Sequence, residues 1–144
     1  MQVLGPRRAG RKLVISGDTG PCETLRVAAH RADVLIHEAT FAAEEADRAA
    51  ETGHSTAGQA AELARKASVC LLALTHFSTR YPVSTLRDEA RAIFEPTVLP
   101  RDFDTIEIPY AERGGPELIR WRDTKPEQED EEARASEPLA DPAQ

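Results

Sequence analysis

The sequence lacks the features of membrane-spanning, secreted and disulfide-stabilised proteins. Its 144 residues contain no apolar run near the ~20 residues that a membrane span needs, and the N-terminus has no apolar segment typical of a signal peptide. The two cysteines, Cys22 and Cys70, form no C-x-x-C pair. We therefore expect a soluble cytoplasmic protein without a disulfide framework. Because Cys70 begins an apolar segment, we expect it to be a small core residue.

Large apolar residues are also scarce after Trp121, where acidic charge accumulates. Residues 123–144 hold eight acidic and two basic residues, which is −6 of the net charge of −7, together with three prolines. Such a segment cannot bury enough apolar surface to offset its ordering entropy, so we predict a disordered acidic tail. An acidic tail does not attract nucleic acid. Any RNA contact must come from basic residues such as Arg7, Arg8, Arg11 and Lys12, or from a region outside this chain.

Between the tail and an irregular loop over residues 1–12, the pattern alternates short apolar runs with amphipathic segments. This alternation is typical of a layered α/β domain, here over residues 13–122. The predicted strands are 13–16, 33–37, 70–75 and 103–108, and the predicted helices are 21–31, 41–51, 56–67 and 85–94. We expect Ser55 or Thr56 to cap the third helix and Ser84 to cap the last one. Four strands are fewer than the ~5–6 of an average sheet, as expected for half a domain.

Three of the predicted strands are apolar and end abruptly at a polar residue. Asp18, His37 and His76 follow strands that we expect to be buried, and His54 lies on a loop just before a helix. The carboxyl ends of strands in α/β sheets meet at one edge, where sites are built. Carboxylate and imidazole are zinc ligands in hydrolytic sites, which take about three protein ligands and a water. The residues therefore predict part of a metal hydrolase site, with too few ligands for two metals.

Four short motifs occupy these positions: Ser16-Gly17-Asp18-Thr19, His37-Glu38-Ala39-Thr40, Gly53-His54-Ser55-Thr56 and Leu74-Thr75-His76-Phe77-Ser78-Thr79-Arg80-Tyr81. Together they resemble the motifs of ribonuclease Z, the tRNA 3′-processing endonuclease family of the metallo-β-lactamase superfamily. The resemblance runs from about Arg11 to Pro109. The first and last motifs are widespread in that superfamily, whereas the middle two are more specific to its tRNA-processing members.

The resemblance implies a role for each of these residues. Asp18 would bridge two zinc ions, His76 would bind one of them, and His54 would be the general acid for the leaving 3′ oxygen. His37 and Glu38 would orient His54 or the ligands, and Arg80 would either meet a phosphate oxygen or be an ordinary surface arginine. The substrate would be precursor tRNA, and the complete protein would be a homodimer with two Zn²⁺ in each site.

The superfamily's His-x-His-x-Asp-His cluster is absent, because no histidine precedes His30. The arm that grips tRNA in this family is absent as well. We therefore expect the C-terminal half of a metallo-β-lactamase αββα sandwich, active as a nuclease only with a missing N-terminal half. Two alternatives stay open: a non-catalytic remnant that serves as a binding or assembly module, and another metallo-β-lactamase-type phosphodiesterase.

Overall fold

The computed structural model describes residues 9–124, and these form a parallel sheet with helices on one face. In sequence order the elements are β1 (Leu13–Ile15), α1 (Glu23–Ala28), β2 (Val34–Glu38), α2 (Ala46–Thr52), α3 (Ala57–Ala67), β3 (Leu71–Thr75), α4 (Val83–Ile93), β4 (Thr97–Val98), β5 (Thr105–Glu107) and β6 (Glu117–Ile119). The strands of the parallel sheet lie in the order β1-β2-β3-β4. β5 and β6 form a separate antiparallel pair.

The two central strands, β2 and β3, have side chains buried on both faces. Leu35, Leu72 and Leu74 lie in a core that includes the alanine-rich face of α3 and Leu86 of α4. On the opposite face lies a smaller core, into which Ile106 and Ile108 pack from the β5 segment. Continuous apolar runs are expected of parallel strands covered on both faces, so the sequence prediction for β2 and β3 is confirmed.

The edge strand β1 is different, and the expectation that it is buried is wrong for the described chain. Leu13 is 49% exposed and Ile15 is 65% exposed, although Ile15 pairs in register with Ile36 of β2. Only Val14, which points to the other face, packs against the main core. β1 therefore presents both an open backbone edge and exposed apolar side chains.

Local capping confirms one helix start and corrects another. The Thr56 hydroxyl accepts from the Gln59 backbone N–H at 3.1 Å, and the Gln59 side chain accepts from the Thr56 N–H at 2.9 Å. This reciprocal capping box satisfies two of the free donors at the start of α3. The prediction for Ser84 is wrong, because α4 begins at Val83, two residues before the predicted start, and its N-cap residue Pro82 makes no side-chain cap.

Several predicted elements and one predicted core residue differ in the structure. The helix predicted over 41–51 is a 3-10 turn at Ala43–Glu45 followed by α2, and the strand predicted over 103–108 shortens to β5. β4 and β6 are additional short strands. Cys70 is exposed just before β3, so it is not a core residue. The predicted acidic tail lies outside the described residues except for its first two, which end a 3-10 turn at Trp121–Thr124.

Among residues 9–124, no helix has the length and apolar character needed to cross a membrane.

Candidate metal centre

The carboxyl edge of the sheet brings together three side chains from distant parts of the sequence. Asp18 follows β1 through Gly17, whose φ of 64° turns the chain as the strand ends. His76 follows β3 directly, with a left-handed φ of 55°. His54 follows Gly53, which ends α2 at a φ of 73°. Left-handed backbone in a non-glycine residue is uncommon, and His76 is one of four such residues in the described chain.

The donor atoms of Asp18, His54 and His76 are close enough to share one ion, and we call these three residues the donor cluster. One donor atom from each lies within 4.8 Å of the others. The two imidazole rings stack with centroids 5.5 Å apart and an angle of 28° between their planes. His76 Nδ1 is 3.6 Å from Asp18 Oδ1. The predicted zinc ligands and the predicted general acid therefore meet at one place.

Glu38 is the buried residue behind the donor cluster. It is 2% exposed, and its Oε1 accepts from His54 Nδ1 at 2.8 Å and from the Thr19 N–H at 3.0 Å. Its Oε2 accepts from the Thr40 N–H at 3.0 Å and from the Thr40 hydroxyl at 2.7 Å. Burial alone would raise the pKa of Glu38, but these hydrogen bonds outweigh it and lower the pKa. Glu38 is therefore an ionised acceptor.

Thr40 is the residue that sequence reasoning missed, although it ends one of the four motifs. Its hydroxyl oxygen lies 2.9 Å from His76 Nδ1 and 3.3 Å from His54 Nδ1, in addition to its bond to Glu38. One hydroxyl thus contacts both histidines of the donor cluster. The only signal in the sequence is its position two residues after Glu38.

His37 is adjacent to Glu38 but lies outside the donor cluster. It is 1% exposed, and its Nδ1 donates to the Glu38 carbonyl at 2.8 Å. Within the described residues, His37 Nε2 is buried without a hydrogen-bond partner. Burial lowers the pKa of this ring, which keeps it neutral. Of the two residues predicted to orient His54, Glu38 contacts it directly and His37 bonds only to the Glu38 backbone.

Arg80 lies on the loop between β3 and α4, where a carboxylate holds it. Its guanidinium is 3.3 Å from Glu45 Oε1, and the neighbouring Tyr81 hydroxyl also donates to Glu45. A phosphate would have to compete with Glu45 for this arginine. The predicted phosphate contact of Arg80 stays a prediction.

The chemistry of the donor cluster fits zinc. Two imidazoles and a carboxylate are donors of catalytic zinc sites, in which water completes the shell. An oxygen atom lies close to Nδ1 of each histidine, as in sites where an outer group fixes the ring of a ligand. Three donors suffice for one ion. A second ion would need ligands beyond these three.

Comparison with known proteins agrees with these motifs. The chain is 54% identical over 112 residues to ribonuclease Z of Gemmatimonas aurantiaca and 48% identical over 112 residues to ribonuclease Z of Archaeoglobus fulgidus. Each match covers 76% of this chain but only 36% and 37%, respectively, of the relative. The chain thus spans about one third of the length of these curated relatives. No protein-family model matches the chain.

Solved structures agree as well. Human tRNase Z, short form, superposes with a TM-score of 0.56 at 38% identity, which covers 69% of this chain and 34% of that one. The metallo-beta-lactamase fold protein YhfI from Bacillus subtilis gives a TM-score of 0.58 at 27% identity over 62% of this chain and 36% of that one. About three quarters of the chain is therefore homologous to a part of ribonuclease Z, and its architecture is a part of the metallo-β-lactamase fold.

Proposed function

We propose that this chain is the C-terminal part of a zinc-dependent endoribonuclease that removes the 3′ trailer from precursor tRNA. The observation that carries the proposal is the meeting of Asp18, His54 and His76 at one sheet edge, in a chain 54% identical to a ribonuclease Z. The exposed β1 and the three-donor cluster support a requirement for further chain, which we assign to an N-terminal half. Cytoplasmic location and homodimerisation belong to the same proposal.

Asp18 and His76 would hold metal in this assembly. Zinc bound there would activate water and stabilise charge on the phosphate oxygens. Both side chains are solvent-exposed, so a polynucleotide can reach them from outside.

His54 would protonate the leaving 3′ oxygen. Because its Nδ1 bonds to Glu38, the other ring nitrogen, Nε2, is the atom that can face a substrate. The Glu38 carboxylate fixes the ring orientation and stabilises positive charge on the protonated ring. A proton donor needs this combination of partial exposure and a fixed ring.

The test is the position of the cut made by the native protein, isolated from its own cells with an antibody against residues 13–109. We expect cleavage of precursor tRNA at the start of the 3′ trailer, lost on chelation and restored by Zn²⁺. Hydrolysis of a small phosphodiester, bis(p-nitrophenyl) phosphate, is measured on the same preparation. Efficient hydrolysis of the small diester without trailer removal would instead support the alternative that the protein is another metallo-β-lactamase-type phosphodiesterase.

A non-catalytic binding module is the second candidate, and the incomplete donor set favours it. Three donors cannot supply a two-metal centre, and the chain spans one third of its relatives. This candidate predicts that the native chain is folded, contains no zinc and has no nuclease activity.

A further inference from the structure

The hydrogen atoms around Glu38 can be assigned one by one, and Thr40 is the residue that determines the pattern. Each oxygen of the Glu38 carboxyl group accepts a backbone N–H, from Thr19 at Oε1 and from Thr40 at Oε2. His54 Nδ1 and the Thr40 hydroxyl lie within hydrogen-bond distance of the same two oxygens, and the Thr40 hydroxyl is the donor to Oε2. The Thr40 hydroxyl has a single proton, and its 2.7 Å bond to Glu38 Oε2 uses that proton. The Thr40 oxygen can then act only as an acceptor toward its other neighbours.

This assignment fixes the proton on His76. His76 Nδ1 lies 2.9 Å from the Thr40 oxygen, and two acceptors cannot form a hydrogen bond, so Nδ1 must carry the hydrogen. In the neutral ring Nε2 then holds the free lone pair. The same reasoning places a hydrogen on His54 Nδ1, which donates directly to Glu38 Oε1 at 2.8 Å. One buried carboxylate therefore orders both rings, His54 directly and His76 through Thr40.

We propose that Thr40 is a positioning residue that holds the proton of His76 on Nδ1 and so reserves Nε2 for the metal. The inference rests on the proposed function only in taking His76 as a metal ligand. Thr40 suits the task because Glu38 Oε2 accepts from both its backbone N–H and its hydroxyl. The hydroxyl cannot rotate away from Glu38 without losing one of these bonds.

The alternative is that Thr40 only helps to fill space beside a buried carboxylate. A matched pair of variants separates the two cases. Thr40→Val keeps the shape and removes the hydroxyl, whereas Thr40→Ser keeps the hydroxyl and removes a methyl group. Thr105→Val is the control for a β-branched exchange at an exposed threonine of β5.

The first readout is the tautomer of His76 in the zinc-free full chain, measured by long-range ¹H–¹⁵N NMR above the usual imidazole pKa of about 6.5. We expect the Nδ1–H form in the wild type, in Thr40→Ser and in Thr105→Val, and a mixture with Nε2–H in Thr40→Val. A wild-type ring in the Nε2–H form would overturn the proposal. So would a Thr40→Val ring that remains wholly Nδ1–H.

The second readout is Zn²⁺ affinity, measured by competition with a chromophoric chelator. Loss of an outer partner of a metal-bound histidine costs about 10–100-fold, and we expect a loss of this size in Thr40→Val and full rescue in Thr40→Ser. Equal affinities in the two variants would overturn the proposal. Neither readout involves RNA, so a correct tautomer with rescued affinity but no trailer removal would sink the proposed function and leave the role of Thr40 standing.

Discussion

The donor cluster and the edge strand β1 lie close together, yet their surroundings differ. The polar groups behind the donor cluster are buried and hydrogen-bonded, whereas apolar side chains of β1 are exposed to solvent. Behind the donor cluster, Glu38 is buried and accepts four hydrogen bonds. On β1, Ile15 and Leu13 are apolar and largely exposed. In the first region, the carboxylate of Glu38 has its hydrogen-bond donors within the described chain. The second has the composition of an interior strand without the cover that such a strand needs.

This difference indicates where the additional chain proposed above would pack. Polar groups that are buried need partners within the fold. The Glu38 carboxylate has four hydrogen-bond donors, whereas His37 Nε2 has no hydrogen-bond partner among the described residues. Exposed apolar surface at an open strand edge favours pairing with another strand. The additional chain of the proposed function would therefore lie beside β1, whereas Asp18, His54 and His76 already meet within the described residues.

The largest expected effect comes from Asp18→Ala. Removing this carboxylate takes away one of the two proposed metal ligands, Asp18 and His76, so zinc binding and trailer removal by the native protein should both be abolished. The fold should survive, because Asp18 is exposed and surface substitutions usually change unfolding free energy by less than about 0.5 kcal/mol. Equilibrium dialysis with zinc and thermal unfolding measure the two parts. Asp88→Ala, at an exposed position on α4, is the control. Wild-type zinc binding by Asp18→Ala would remove this residue from the site.

The next effect is that of His54→Ala on the rate of cleavage. Loss of a proton-transfer group slows a reaction by about 10²–10⁴-fold, and zinc content should be retained if His54 is the acid and not a ligand. Single-turnover cleavage of precursor tRNA, with metal analysis of the same sample, checks both. His30→Ala is the control, at an exposed histidine that is not part of any of the four motifs. A variant that cuts at the wild-type rate would show that another group supplies the proton.

Glu38→Gln tests how much the buried carboxylate contributes to the stability of the fold. The amide nitrogen would face donors that now meet a carboxylate oxygen, and hydrogen bonds to a charged group contribute about 1.5–3 kcal/mol. We expect an unfolding free energy lower by about 2–3 kcal/mol, measured by urea denaturation against Glu51→Gln, an exposed control on α2.

The pH dependence of the unfolding free energy, compared between the wild type and Glu38→Gln, tests whether Glu38 is ionised in the fold. Because the pKa of Glu38 is lowered in the folded chain, its carboxylate stabilises the fold above the unfolded pKa of about 4.3. That contribution is lost as the pH falls through the folded pKa. The wild type should therefore lose stability in acid more steeply than Glu38→Gln. Parallel curves would mean that Glu38 is not preferentially ionised in the fold.

The smallest expected effect on stability is that of Ile15→Lys on β1. Since Ile15 is mostly exposed, the unfolding free energy should change by less than about 0.5 kcal/mol. A lysine on an edge strand opposes strand pairing, so self-association of the isolated chain should fall. Analytical ultracentrifugation measures it, and Val27→Lys, at an exposed apolar position on α1, is the control. Equal self-association of the two variants would show that β1 is not the surface through which the chains associate.

The sequence predicts what depends on local pattern. Apolar runs identified β2 and β3, and Thr56 was one of two predicted caps for α3. Strands of two or three residues such as β4 and β6 carry no periodicity to detect. Burial of β1 could not be predicted from its run of apolar residues, because exposure depends on what lies across the sheet.

In the candidate site, too, local sequence motifs predict some features, whereas others depend on the three-dimensional structure. Motif order located Asp18, His54 and His76, and the structure brings them together. The separation of His37 from Glu38 follows from strand alternation, which sends adjacent side chains to opposite faces. The role of Thr40 depends on hydrogen-bond distances that no sequence pattern contains.

The most direct test of the central claim is native mass spectrometry of the active fraction, which reports polypeptide mass and bound metal together. We predict that the species that removes the trailer contains residues 13–109 joined to, or associated with, further polypeptide, and carries two zinc ions per site. A fully active species made only of this 15.8 kDa chain would contradict the claim that the chain supplies one part of the site.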